Sequence, residues 1–440
     1  MIKDLTKGSP LKVIASFAIP MILGNIFQLF YNIIDSIIVG RYIGPSALAA
    51  VGSSYTIMVF LTSILIGLCM GAGVLFSQFF GAKKNEDLKQ SISTSFIFIG
   101  ICAAVLTVLA LLFINEIIVF MNVPYDIVAQ NKTYLKIIFY GIFFTFLYNW
   151  SAGLLRALGN SKVPLYFLIL SMVCNIVLDI LFIVFFRWGI AGAAYATILS
   201  MAISSALCFV YCIRKIEFLH FELRNITFNK RIFYLTTNYS LLTSIQQSIM
   251  NFGILMIQGL VNSFGTQIMA AFAVAVKIDT IAYIPMQDYG NAFSTYIAQN
   301  KGAGQTNRIK DGFKVSMGLI TIFGLVISAL VWIFASKLML LFVAPGEIEV
   351  IATGITYLRI EGVFYFLIGY LFMFYGFYRG LGRMKMSVVL TVISLGTRVL
   401  LAYSFAGVFG TRIIWYSIVI GWILADLVGL LYYKKIKNNL

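Results

Sequence analysis

Ser171-Met-Val-Cys-Asn175-Ile-Val-Leu-Asp179 places three polar side chains in a run of the chain that is otherwise apolar. On a helix, Ser171, Asn175 and Asp179 fall at i, i+4 and i+8 and project from one face. The surrounding run, Pro164 to Phe186, is long enough to cross a bilayer, which takes about 20 residues. A carboxylate near the middle of such a span costs roughly 2.5 to 3.5 kcal/mol on insertion scales, so it is expected to face a polar interior. Asp179 therefore points both to a bundle of membrane helices and to a first candidate functional residue.

Composition extends that reading to the whole chain. Of 440 residues, 61% are hydrophobic and 11% are charged, where a soluble globule carries about a quarter charged. The formal net charge of +16 would suggest nucleic acid for a soluble protein. Here the cations sit in short connections between apolar runs, the pattern that orients membrane helices, so no RNA or DNA partner is implied. Cys69, Cys102, Cys174, Cys208 and Cys212 lack metal-site or disulfide-framework spacing and read as packing residues. One histidine, His220, in a basic connecting segment, builds neither a zinc site nor a catalytic triad. Gly71-Ala72-Gly73 and Gly302-Ala303-Gly304 lack the lysine-serine context of a phosphate loop. No H-E-x-x-H or G-x-S-x-G motif is present, so the expectation is a non-enzyme without a cofactor.

The chain divides into twelve expected spans, beginning near Val13, Tyr55, Ile92, Tyr134, Pro164, Gly189, Tyr239, Gln267, Val315, Tyr357, Ser387 and Arg412. The start, MIKDLTKGSPLK, runs into apolar sequence longer than a signal-peptide core, without a cleavage pattern, so a retained first helix is expected. Alternate connections hold most of the 32 basic residues, including Lys83, Lys84, Arg156, Arg214, Arg224, Lys301, Arg308 and Arg379. By the positive-inside rule both termini are then cytoplasmic. The halves also repeat. YLKI at Tyr134 and YLRI at Tyr357 are 223 residues apart, and at the same offset RALG at Arg156 matches RGLG at Arg379. The expected architecture is all-α: a six-helix lobe over 1–214, a linker over 215–238 and a second six-helix lobe over 239–440, related by a pseudo-two-fold along the membrane normal.

A second stripe complements the first. Asn25, Gln28, Asn32 and Asp35 are spaced along one face of the first helix. Two nearby carboxylates in a low-dielectric chamber repel, which makes Asp35 and Asp179 a candidate proton acceptor. The repeat maps Asp179 onto Ala402, Asn175 onto Arg398 and Asp35 onto Met256, so the paired carboxylates are expected only in the first lobe. In the eighth span, Lys277 and Asp279 read either as a substrate contact or as charges that neutralise one another near a helix end. Gln287, Asp288 and Asn291 read as a polar break in that helix, tolerable beside a cavity. Arg398 has no evident intramembrane partner in the sequence and reads as steering anionic groups or binding a carbonyl, and Glu361 reads as lying near the outer end of the tenth span.

Twelve spans in two repeats, a first helix with Pro20 and Asp35, and Asn175-x-x-x-Asp179 in the fifth span resemble the multidrug and toxic compound extrusion (MATE) family over essentially the whole chain. That resemblance implies a cation site in the first lobe at Asp35, Asn149, Asn175, Asp179 and Thr197, with Pro20 at a bend of the first helix. Carboxylate, amide and hydroxyl oxygens also suit a hard cation, so Asp35, Asn175, Asp179 and Thr197 could hold Na⁺ instead of a proton. Gln28, Asn32, Lys277, Asp279, Gln287 and Asn291 are the candidate substrate path. The implied function is a monomeric antiporter of the plasma membrane that exports cationic or amphipathic organic compounds in exchange for H⁺ or Na⁺, by rocking of one lobe against the other. The alternative is a flippase for a lipid-linked precursor, performed by relatives of similar two-lobed design.

Overall fold

The computed structural model describes residues 3–121, 123–216 and 229–439; His220, Arg224 and half of the expected linker lie outside them. Among the described residues the secondary structure is helical throughout. The first half holds α1 (Pro10–Tyr42), α2 (Pro45–Gly81), α3 (Asn85–Leu112), α4 (Ile114–Phe120), α5 (Val128–Tyr140), α6 (Ile142–Ala157), α7 (Lys162–Asp179) and α8 (Gly189–Lys215). The second holds α9 (Lys230–Asn262), α10 (Thr266–Gly302), α11 (Thr306–Leu340), α12 (Ile348–Gly362), α13 (Tyr365–Gly380), α14 (Met384–Phe409) and α15 (Arg412–Ile436).

Among the described residues ten helices are long and apolar enough to cross a membrane, or twelve spans if each of two bent helix pairs is counted as one. The pairs are the expected fourth and tenth spans: Tyr125–Tyr140 with Ile142–Ala157 bends by 43°, and Ile348–Gly362 with Tyr365–Gly380 by 53°. The breaks at Gly141 and Phe364 are themselves 223 residues apart, so the bend is part of the repeat. The second span starts at Pro45, ten residues before the expected Tyr55, because Gly44 and Pro45 set its amino end. The polar run at Gln287 to Asn291 does not break its helix: α10 is continuous across it, with Pro285 inside.

The RALG and RGLG motifs are helix ends. Gly159 and Gly382 have φ of 81° and 74°, a left-handed conformation that glycine takes without strain. In each case the next two N–H groups turn back on the helix: Gly159 to Arg156 O and Asn160 to Leu155 O, then Gly382 to Arg379 O and Arg383 to Tyr378 O. Arg379 is consequently not a connecting-loop cation. It is buried in the last turn of α13.

Two compact units emerge, Met1–Asp4 with Ile19–Ser244, and Leu5–Ala18 with Ile245–Leu440. In the first unit an apolar core gathers around Trp150, whose indole donates to Ser95 Oγ at 3.1 Å and packs on Phe96. Cys69, Cys208 and Cys212 are buried in that core, so their role is packing. In the second unit, Leu5 N–H donates to Gln299 Oε1 at 2.9 Å, and Arg308 donates to Gly8 O at 2.7 Å. There α10 and α13 meet backbone to backbone. A Cβ on Gly376 would lie 2.1 Å from Gly290 O, and one on Gly290 would lie 2.5 Å from Phe372 O.

Candidate functional site

In the first unit, α1, α5, α7 and α8 bring a polar group together inside apolar surroundings. Asp35 is 8% exposed and Asp179 is fully buried, and their carboxyls share a hydrogen bond. Such a bond needs a proton on one of them, because two ionised carboxylates offer only acceptors. Asp35 Oδ1 has no hydrogen-bond partner, so the pair keeps an acceptor for an incoming proton, cation or donor. Asn175 is buried one turn before Asp179 on the same face of α7. Thr197 on α8 shares a hydrogen bond with the Tyr31 hydroxyl, and Tyr31 and Tyr134 both lie within electrostatic range of the two carboxylates.

The expected residues Asp35, Asp179, Asn175 and Thr197 thus fall in one neighbourhood or on its helix faces. Asn149 spends its amide on Thr145 O, one turn back on α6. Pro20 lies inside an unbroken α1, Gln28 is exposed and Asn32 half-buried on that helix. Tyr31 and Tyr134 were not singled out by residue type, though Tyr31 stands four residues before Asp35 and Tyr134 opens the YLKI repeat. Directly after Asp179 the backbone widens into a π-turn over Ile180–Phe185, a feature frequent at functional sites.

The second unit overturns three expectations and one of the two alternatives for Lys277 and Asp279. Lys277 and Asp279 do not neutralise one another: two positions apart on α10 they point about 200° apart around the helix, and Lys277 is exposed while Asp279 is buried. Asp279 instead accepts from Tyr357 Oη at 2.5 Å and from the Tyr365 hydroxyl. Glu361 is not at an outer end. It is buried, because its helix α12 is only the first part of a bent span, and it shares hydrogen bonds with Asp279 and Tyr357. Arg398 on α14 does have partners, since its guanidinium lies within electrostatic range of Glu361, Tyr357 and Asp279. Paired carboxylates therefore exist in both units, with the repeat-related Tyr134 and Tyr357 beside each pair.

A separate shallow recess in the second unit, with room for about one water molecule, is lined by Gln246, Gln247, Gln287, Asn291, Phe372, Tyr375 and Arg379. It gathers Gln287 and Asn291 of the expected substrate path. Among the described residues no group of three or more His, Cys, Asp or Glu side chains is placed to hold a metal ion.

The family model MatE matches residues 20–181 and 240–404. The probable multidrug resistance protein YpnP of Bacillus subtilis is 32% identical over 98% of this chain and 96% of its own length. The probable multidrug resistance protein YoeA of the same organism is 30% identical over 79% of this chain and 76% of its own. A solved structure described as the outward-facing conformation of a multidrug resistance MATE family transporter of the MOP superfamily superposes with a TM-score of 0.92 at 25% identity, covering 99% of this chain and 98% of that one.

Proposed function

We propose, from the premise that this chain belongs to the MatE family, that it is a secondary antiporter exporting cationic or amphipathic organic compounds in exchange for H⁺ or Na⁺. The protein is a multi-pass membrane transporter related to multidrug efflux proteins. The observation that carries the antiport reading is the buried Asp35 and Asp179 pair, joined by a hydrogen bond that holds one proton. A second proton or a Na⁺ ion cancels the remaining negative charge, and a cationic drug attracted to that charge is then released. Asn175 and Thr197 supply neutral oxygens for an ion, and the Tyr31 hydroxyl positions Thr197. Gln28 and Asn32 are the substrate-path residues of the first unit in this reading, and Lys277, Gln287 and Asn291 those of the second, while Asp279 is taken up by Tyr357 and Tyr365.

One charge moving across 100 mV supplies about 2.3 kcal/mol, enough for a roughly fifty-fold substrate gradient without ATP. The work is that of a transporter and not an enzyme. The cytoplasmic placement of both termini follows from loop charge, and residence in the plasma membrane as a monomer completes the proposal. A lipid-linked flippase is not favoured, since the relatives are named for multidrug resistance.

Proteoliposomes with the pH and Na⁺ gradients imposed separately test the reading. Export of a cationic dye is expected under one or both gradients, and equilibrium affinity for that dye should fall as pH falls or Na⁺ rises. An affinity constant across both titrations would refute competition at the pair. A further expectation concerns the repeat. Adding Ala402→Asp to Asp179→Asn should not restore export, because the new carboxylate would stand one turn from Arg398 where Asp179 has Asn175. Recovered gradient-driven dye export in the double variant would show the two halves to be interchangeable.

A further inference from the structure

Asp426 stands in the middle of α15, 8% exposed, on the face that packs against α13 and α14. Its Oδ1 and Oδ2 are both closed off from solvent, and neither has a hydrogen-bond partner. The acids of the cluster described above are different: Asp279 accepts from Tyr357 and Tyr365, and Glu361 shares hydrogen bonds beside Arg398. No cation among the described residues compensates Asp426. On α13, Arg379 turns to Asn291 and Ser294 of α10. On α14, Arg398 serves the other cluster, and on α12, Arg359 lies over the Trp332 ring. Lys434 and Lys435 of α15 are exposed. Of the neighbouring tyrosines, Tyr378 donates to Gly429 O, Tyr432 accepts from Arg383, and Tyr433 stacks on Phe313. Tyr375 of α13 is in electrostatic range of Asp426, and its hydroxyl shares a hydrogen bond with Thr391 of α14.

An ionised carboxylate without water, cation or donor is too costly to keep, so Asp426 holds its proton in this conformation. A neutral acid that only filled space would still spend its O–H and C=O on neighbours, as Ser387 and Thr391 spend their hydroxyls on Tyr375 O and Ser387 O. Asp426 spends neither, so losing the proton breaks no bond that holds the helices together. The Tyr375 hydroxyl can both donate and accept, and Tyr375 also lines the recess with room for about one water. We propose that Asp426 is a proton-exchange site of the second unit, filled in one state of the export cycle and emptied in the other. On release, a change of the Asp426 rotamer closes the gap to Tyr375. The carboxyl proton passes to the tyrosine oxygen as the hydroxyl proton passes to the water, which leaves the tyrosine neutral and the charge on Asp426. The assignment rests on the antiport reading above, and adds to it that the second unit carries H⁺ as well as the Asp35 and Asp179 pair.

The test measures how steeply dye export responds to a proton gradient. Proteoliposomes of the full-length protein, their membrane potential collapsed by potassium and valinomycin, are brought to steady state with ethidium over a series of imposed pH differences. The slope of the logarithm of the dye ratio against the pH difference counts the protons exchanged per dye. Asp426→Asn is expected to lower that slope by about one, a roughly ten-fold smaller dye ratio for each unit of pH difference. Asp426→Glu, which keeps the acid, should retain the unmodified slope. Asp426→Leu, an apolar side chain of similar volume, should act as Asp426→Asn does, and serves if the amide does not fold. In infrared spectra at neutral pH the carbonyl band of a protonated carboxyl should shift in deuterium oxide and weaken in both neutral variants. An unchanged slope in Asp426→Asn and Asp426→Leu, or no carbonyl band lost with the carboxyl, overturns the proton site and leaves the export reading intact. A flat response to pH in the unmodified protein, with export driven by Na⁺, overturns the site and restricts the antiport reading to Na⁺. No dye movement under either gradient overturns the export reading itself, and the site with it.

Discussion

Asp179→Asn and Asp35→Asn are each expected to reduce gradient-driven drug export to the level of empty vesicles while the protein remains folded and inserted. An asparagine side chain has nearly the shape of the carboxyl it replaces and retains an oxygen acceptor, so packing around α1 and α7 should survive. What it lacks is the ability to take and give back a proton or to balance the charge of a bound Na⁺. The two carboxyls share one hydrogen bond in a buried setting, and a group that works as a pair is lost when either member goes. Passive, downhill binding of drug should persist in both variants at reduced affinity. Wild-type efflux from correctly folded Asp179→Asn would remove the pair from the mechanism.

The second large effect is on stability. Arg398→Met removes the cation beside Asp279 and Glu361 and leaves two buried acids sharing a site with Tyr357. Breaking a buried charge pair from one side costs about 3 to 5 kcal/mol; Arg398 as a whole is only half-buried, which places the expected loss nearer about 2 to 3. A fall of several degrees in the melting temperature of the purified protein is therefore expected. Adding Glu361→Gln should return part of it, because the double variant, with Asp279 alone, carries no more excess acid than the unmodified protein, and the cycle of four proteins measures the coupling directly. Melting of Arg398→Met at the wild-type temperature would show that the guanidinium does not compensate the acids.

The parts of the site that sequence reveals are those whose presence in lipid is expensive. Asp35 and Asp179 stand out because a carboxylate in an apolar span needs a reason, and their stripes name the helix faces that converge. Tyr31 and Tyr134 do not stand out, because tyrosine is tolerated in a membrane helix with or without a polar partner, and the chain has 24 of them. The second cluster is hidden for a different reason. Its acids lie on α10 and α12 and its base on α14, so no single span shows the combination. Counting twelve straight helices also puts Glu361 at a span's edge, whereas the 53° break after Gly362 puts it inside. The repeat was legible down to individual turns: the glycines that end RALG and RGLG adopt matching left-handed conformations.

Contact between Gly290 on α10 and Gly376 on α13 leaves no cushion of side chains between the two helices. Helices separated by flexible side chains can slip or roll by rotamer exchange, but two main chains in direct contact have no such slack. Gln287 and Asn291 on one helix and Tyr375 and Arg379 on the other are therefore cast in a single rigid piece. A ligand entering that mould meets donors already aimed, and little of its binding free energy is consumed in ordering the walls. Widening the wall that these two helices form would require parting the two backbones, whose separation is set by two hydrogen atoms, the side chains of Gly290 and Gly376.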